Sequence, residues 1–136
     1  MSKAVSGVRV AVVQFDPQVG TRHRQTNLDN SLDLAKEAVA NGANLIVLPE
    51  LTNTGYSFAD RQDAFLHAEI IPDGPSTQAW CDFASRHQIY LVAGLAERGG
   101  MQLFDTALLI GPDGYIGKYR KAHLWNREKL WFTPGN

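Results

Sequence analysis

Asn44-Leu45-Ile46-Val47-Leu48-Pro49-Glu50-Leu51-Thr52-Asn53-Thr54-Gly55-Tyr56 is the stretch on which the fold turns. Leu45 to Leu48 is a short apolar run stopped by Pro49, the pattern of a short strand. Before it, Leu28, Leu32, Ala35 and Val39 lie at alternating steps of four and three, which makes one stripe of a helix. Thr26 with Asp29 suits a variant helix N-terminal cap, and Gly42 stands where a C-cap glycine belongs. Further upstream, Val8 to Phe15 is β-branched and almost all apolar, so it reads as a strand buried on both faces. Strand, helix, strand is a βαβ unit, expected to be parallel with a right-handed crossover.

Reading outward in the other direction, Leu51 to Phe58 is a polar, glycine-containing loop, followed by a weak helical stretch over Asp60 to His67. Pro72-Asp73-Gly74-Pro75 is a turn. Trp80, Phe83, Ala84 and His87 share a helical face, which predicts a helix over Ser76 to Gln88. Tyr90 to Leu95 reads as a third buried strand. Gly99-Gly100 turns into a strand over Leu103 to Ile110, and Gly111-Pro112-Asp113-Gly114 is a hairpin turn into Tyr115 to Tyr119. Arg120 to Asn136 is mixed in character and closes on Pro134-Gly135-Asn136, a loop composition. The pattern predicts an α/β sheet covered by helices, with one open edge and some apolar strand surface left uncovered.

Composition narrows the function. The 136 residues are 44% hydrophobic and 20% charged with a net charge of −1, which suits one soluble domain over 1–136. The balanced charge argues against a general nucleic-acid or acidic-lipid binder. No stretch reaches the about 18 apolar residues of a membrane span. The N-terminus has no apolar core of a signal peptide, so a cytoplasmic location is expected. A single cysteine excludes an internal disulfide and a multi-cysteine zinc site.

Few residues are candidates for chemistry. Glu50 follows an apolar strand at the carboxyl end of a parallel sheet, where open α/β folds place ligands. Beside a buried strand, its carboxyl could have a raised pKa and act as a general base, or it is a solvated loop acid. Lys121 could stabilise an oxyanion, or belong to a basic surface with Lys118, Arg120, Arg127 and Lys129. Glu128 is a second site carboxylate or half of a local pair with Arg127 or Lys129. Glu97, at another strand end, could support a site residue by hydrogen bonding. Cys81 sits mid-helix without an adjacent base or cation and reads as a packing thiol. His23, His67, His87 and His123 lack metal-ligand spacing, and no nucleophile elbow, P-loop or dinucleotide fingerprint is present.

In combination these segments resemble the nitrilase superfamily of carbon–nitrogen hydrolases, in order and over nearly the whole chain. Val8 to Gln14 resembles its opening strand. Asn44 to Glu50 with Thr54-Gly55-Tyr56 resembles its first catalytic motif, and Ala93-Gly94-Leu95-Ala96-Glu97 its internal strand. Gly111 to Gly114, Gly117 to Leu124, Glu128-Lys129 and Phe132 to Asn136 resemble its hairpin and second motif. One departure stands out: Asp105 precedes Thr106-Ala107 where Asn is usual.

The resemblance implies an α-β-β-α sandwich, incomplete here, usually paired across helices into a homodimer or higher oligomer. It implies Glu50 as general base, Lys121 as the oxyanion-stabilising lysine and Glu128 as the second glutamate of a Glu-Lys-Cys site. That site needs no metal or organic cofactor. The family cysteine stands on a later strand, past the end of this sequence, and Cys81 matches no family motif. The expected activity is hydrolysis of a small amide, with the 136-residue chain inactive alone. The alternatives are a non-catalytic binding or regulatory chain, or a nitrile or N-carbamoyl hydrolase half whose partner chain supplies the cysteine.

Overall fold

The computed structural model describes residues 7–136; the expected absence of a signal peptide rests partly on residues 1–6, outside that range. Five strands form one sheet: β1 (Val10–Val12), β2 (Leu45–Val47), β3 (Tyr90–Gly99), β4 (Gln102–Gly111) and β5 (Gly114–Arg120), in that spatial order. β1, β2 and β3 run parallel, and β4 and β5 follow antiparallel. The helices are α1 (Arg24–Ala40), α2 (Arg61–His67) and α3 (Pro75–His87).

The main core forms where α1 and α3 cover one face of the sheet. Leu28 and Ala35 of α1 and Trp80, Phe83 and Ala84 of α3 pack with Ile46, Leu91, Ala93, Leu108 and Ile110. Trp80 is fully buried, and its indole N–H donates to Ser31 Oγ at 3.0 Å. The Ser31 hydroxyl donates in turn to Leu28 O at 2.7 Å, so the polar atoms brought into this core are paired. α3 starts with Pro75 in its first turn and ends at Gln88, which takes the left-handed conformation at φ 54°. A second cluster gathers Leu51, Phe58, Ala64, Trp131 and Phe132 around Ala96 and Leu103. Phe58 meets Trp131 and Phe132 edge-on, with ring centroids 5.7 and 6.0 Å apart.

Three expectations change. The first strand is only Val10–Val12 and is not buried on both faces: Val10 and Val12 are 53% and 78% exposed. It is an edge strand, bonded to β2 alone, and α1 covers only the face carrying Ala11 and Val13. A continuous β-branched run cannot distinguish a strand with two covering layers from an edge strand with one. Thr26 is not a cap: a 3-10 turn, Thr21–His23, leads into α1, and His23 is its N-cap without a side-chain bond. β3 runs on past Leu95 to Gly99, because Ala96–Gly99 pair with Gln102–Asp105 of the returning strand.

The expected uncovered surface is present. Val10, Val12, Tyr90, Leu109, Ile116 and Tyr119 are exposed on strands of the sheet. By strand alternation, Val92, Gly94, Asp105 and Ala107 share the face away from α1 and α3.

Gly94 is where this face receives the loop after β2. A Cβ at this position would lie 2.7 Å from Glu50 Cα and 2.8 Å from both Leu51 N and Pro49 O. Gly94→Ala is therefore expected to push the Glu50 loop off β3 and destabilise the chain by about 1–3 kcal/mol, read from its denaturant midpoint. An unchanged midpoint would show that the loop is not held at this distance.

Candidate active site

The loop after β2 is held across β3 by backbone bonds. Gly94 N–H donates to Pro49 O at 3.2 Å, and Thr52 N–H donates to Gly94 O at 2.9 Å. Leu51, fully buried, adopts φ 46°, a left-handed conformation costing on the order of 1 kcal/mol in a non-glycine residue. Its carbonyl accepts from Thr54 N–H at 3.1 Å and Gly55 N–H at 2.8 Å, closing a tight turn. That turn presents Glu50 on the sheet face opposite α1 and α3. Tyr56, at the far end of the turn, donates its hydroxyl proton to Glu50 Oε2.

Lys121 arrives from the other side. It directly follows β5, where its N–H donates to Asp105 O at 2.8 Å and its carbonyl accepts from Gly135 N–H at 2.9 Å. Its ammonium donates to Glu50 Oε1 at 2.7 Å and to Glu128 Oε1 at 3.0 Å, and lies 3.7 Å from Asp105 Oδ2. Glu128 belongs to a 3-10 helix, Asn126–Leu130, and its Oε2 accepts from Trp125 N–H at 2.8 Å. Around the ammonium runs a cleft of about 280 Å³, lined by Pro49, Glu50, Val92, Gly94, Asp105 and Lys121 among others. A neighbouring cavity of about 170 Å³, walled by Tyr56, Trp125, Arg127 and Trp131, shares Glu128's side of the site.

The site's charge is governed by the one ammonium. Burial pushes the Glu50 carboxyl up, but hydrogen bonds from Asp105, Lys121 and Tyr56 outweigh it and lower it to about 2. The raised Glu50 pKa expected from its place beside a buried strand is thus reversed, because the Lys121 cation and the Tyr56 hydroxyl donate to it. Burial pulls the Lys121 ammonium down, yet its bonds to Glu50 and Glu128 hold it above its ordinary value. Burial first, then Glu50, pushes the Tyr56 hydroxyl up, so it remains a donor. Burial first, then Glu50, pushes Asp105 up to about 8. Glu50, Asp105 and Glu128 each offer an oxygen within 4.8 Å of the others, a spacing that suits a metal ion. Lys121 already touches that cluster and supplies its positive charge.

Glu50, Lys121 and Glu128, which only the resemblance groups, are brought together from segments up to 71 residues apart. Glu128 pairs with Lys121 rather than with Arg127 or Lys129. Glu97 does not touch these three. It is 2% exposed and holds Lys118 and Arg120 of β5, with Arg120 Nη2 at 2.6 Å and the Thr106 hydroxyl at 2.8 Å. Despite burial, those donors lower it to about 2. Lys118 and Arg120 thus have an internal partner and are not a solvated basic face. Cys81 packs against the main core on the helix side, and burial pushes its thiol up. Tyr56 and Asp105 are the site residues that sequence reasoning did not assign. Tyr56 was visible only as part of a motif, and Asp105 only as a departure from a resemblance.

A family model described as "Carbon-nitrogen hydrolase" matches residues 9–136. The chain belongs to the carbon-nitrogen hydrolase family. It is 46% identical over 129 residues to a nitrilase of Pyrococcus abyssi, covering 95% of this chain and 48% of that one. It is 37% identical over 124 residues to omega-amidase NIT2 of Danio rerio, covering 90% of this chain and 42% of that one. Among solved structures, Saccharomyces cerevisiae Nit3, a member of the nitrilase superfamily, superposes with a TM-score of 0.81 at 26% identity, over 95% of this chain and 49% of that one. An N-terminal amidase superposes at 0.79 with 27% identity, over 90% of this chain and 29% of that one. The fold is thus the nitrilase-type α/β fold, and the chain spans about half the length of the curated relatives it matches or less. Among the described residues no helix is long and apolar enough to cross a membrane.

Removing the ammonium tests the electrostatics. Glu50's lowered pKa contributes stability above the ordinary carboxylate value of 4.5, and that contribution is lost as pH falls toward about 2. Lys121→Met is expected to destabilise the chain most at neutral pH, with the gap from the unmodified chain narrowing across that acid window. A gap independent of pH in thermal unfolding would mean the ammonium does not hold Glu50 ionised.

Proposed function

We propose that this chain carries the proton-handling and oxyanion-binding part of a small-amide hydrolase. Glu50 is its general base, Lys121 its oxyanion-stabilising cation and Glu128 its second glutamate. The observation that carries the reading is one ammonium bonded to two glutamates in a cleft at the carboxyl end of parallel strands. The names of the relatives, nitrilase and omega-amidase, support the same class of reaction.

In this reading a cysteine thiolate attacks the amide carbon. Glu50, ionised in the resting site, takes the thiol proton and passes it to the leaving amine. Lys121 donates to the oxygen that becomes negative in the tetrahedral intermediate. As the ammonium turns toward that oxygen, its hold on Glu50 weakens and the carboxylate becomes more basic. Water activated by Glu50 then releases the carboxylic acid, and Glu128 keeps Lys121 in place throughout. The nucleophile comes from outside these 136 residues, since the chain's one cysteine, Cys81, packs on the opposite side of the sheet. Residues 1–136 then make up the N-terminal portion of one carbon-nitrogen hydrolase domain. It works in the cytoplasm and pairs with a second copy through its helix layer.

The purified chain is expected to show no turnover of small amides. Adding the downstream portion of a relative, with its cysteine, is expected to restore hydrolysis. In that reconstituted enzyme, Glu50→Gln or Lys121→Met is expected to lower kcat by about 10²–10⁴-fold. Turnover by the chain alone that survives Cys81→Ser would overturn the proposal.

A further inference from the structure

Three carboxyl groups surround one ammonium, and one of the three has no partner of its own. Glu50 accepts from Lys121 and from the Tyr56 hydroxyl. Glu128 accepts from Lys121 and from Trp125 N–H. Asp105 is 3% exposed, and its Oδ2 is buried with no hydrogen-bond partner; the ammonium, 3.7 Å away, is within ion-pair reach but beyond hydrogen-bonding range. An ionised Asp105 would place a third negative charge, with one oxygen buried and without a donor, within 4.8 Å of two others that already share the single ammonium. Buried charges of that kind take up a proton instead.

We infer that Asp105 is a neutral carboxylic acid in the resting site, donating its proton in a hydrogen bond to Glu50 and acting as a positioning residue for that carboxylate. The choice among the three acids follows from their partners: Glu50 and Glu128 have charged or N–H donors, and Asp105 Oδ2 has none. The upward push on the Asp105 carboxyl, from burial and from Glu50, agrees with this choice. The groups facing Asp105 are Glu50 and Tyr56 from the β2 loop, Lys121 from the end of β5 and Glu128 from the 3-10 helix. Tyr119 of β5 lines the same cleft. The proton gives Glu50 a third donor and fixes its orientation. It also leaves the ammonium facing its two bonded glutamates without a third charge beside them.

The inference deepens the amide-hydrolase reading and rests on it for its use, but its test needs no turnover. In the 136-residue chain labelled with ¹³C at the carboxyl carbons, the Asp105 signal is assigned by its loss in Asp105→Asn. It is expected to titrate with a midpoint near 8. A midpoint in the ordinary carboxylate range overturns the inference.

The sign of the linkage gives a second readout. A folded pKa raised above 3.8 makes stability fall as pH rises from there to about 8. Asp105→Asn, which keeps a neutral donor, is expected to lose that slope. Asp105→Leu, which has no donor, is expected to raise the Glu50 midpoint, and Asp105→Asn to restore it partly. A Glu50 midpoint equal in all three chains refutes the positioning role. A normal Asp105 midpoint beside an active reconstituted enzyme would fail this inference alone, and a raised midpoint beside an inactive one would fail only the hydrolase reading.

Discussion

The Lys121 ammonium is the contact through which the site exists. It ties Glu50, at the end of a parallel strand, to Glu128, in a 3-10 helix, and both would otherwise be acids on unrelated loops. Glu128 is buried at 6% exposed, and Glu50 keeps 32% of its side chain open to the cleft. The ionised state of Glu50 is maintained by the cation, and the cation's charge by its bonds to both glutamates. Such a cluster is costly to bury and strongly damaged by losing one member. Its presence in a cleft with few other polar groups points to chemistry rather than to stability.

The backbone around it is arranged for the same end. Gly94 lets the Glu50 turn lie directly on β3, and Leu51 holds a left-handed conformation one residue past the glutamate. Both features are local departures from ordinary strand and loop geometry. They sit next to the residue that must point away from the sheet, where strain concentrates in functional sites. The aromatic cluster of Phe58, Trp131 and Phe132 then closes the loop from outside and brings the chain after Lys121 back beside it.

Much of this was legible in the order of residues. The strand before Pro49, the apolar stripe on α1 and the hairpin glycines follow periods and turn chemistry that act locally, and the structure keeps them. Glu50, Lys121 and Glu128 were legible as residue types at strand ends, and their meeting followed from a resemblance rather than from spacing. What was not legible depends on neighbours distant in sequence. Val10 and Val12 look like core residues until the sheet order leaves their strand at an edge. Glu50's pKa goes down instead of up because Lys121, Tyr56 and Asp105 converge on it, and no local pattern announces that. Asp105 differs from the expected Asn by one atom type, and only its burial and its empty oxygen give the difference a meaning.

β5 is gripped on both of its faces. Lys118 and Arg120 reach Glu97 on one, and Lys121, the next residue, reaches Glu50 on the other. A slip of the hairpin by one residue would exchange the faces and strand all three cations. A slip by two would let one cation replace another at Glu97, but it would carry Lys121 about 7 Å along the sheet, away from Glu50. The same lysine that completes the site thus proofreads the pairing of the last strand: only the chain that has zipped in correct alignment can close the cleft.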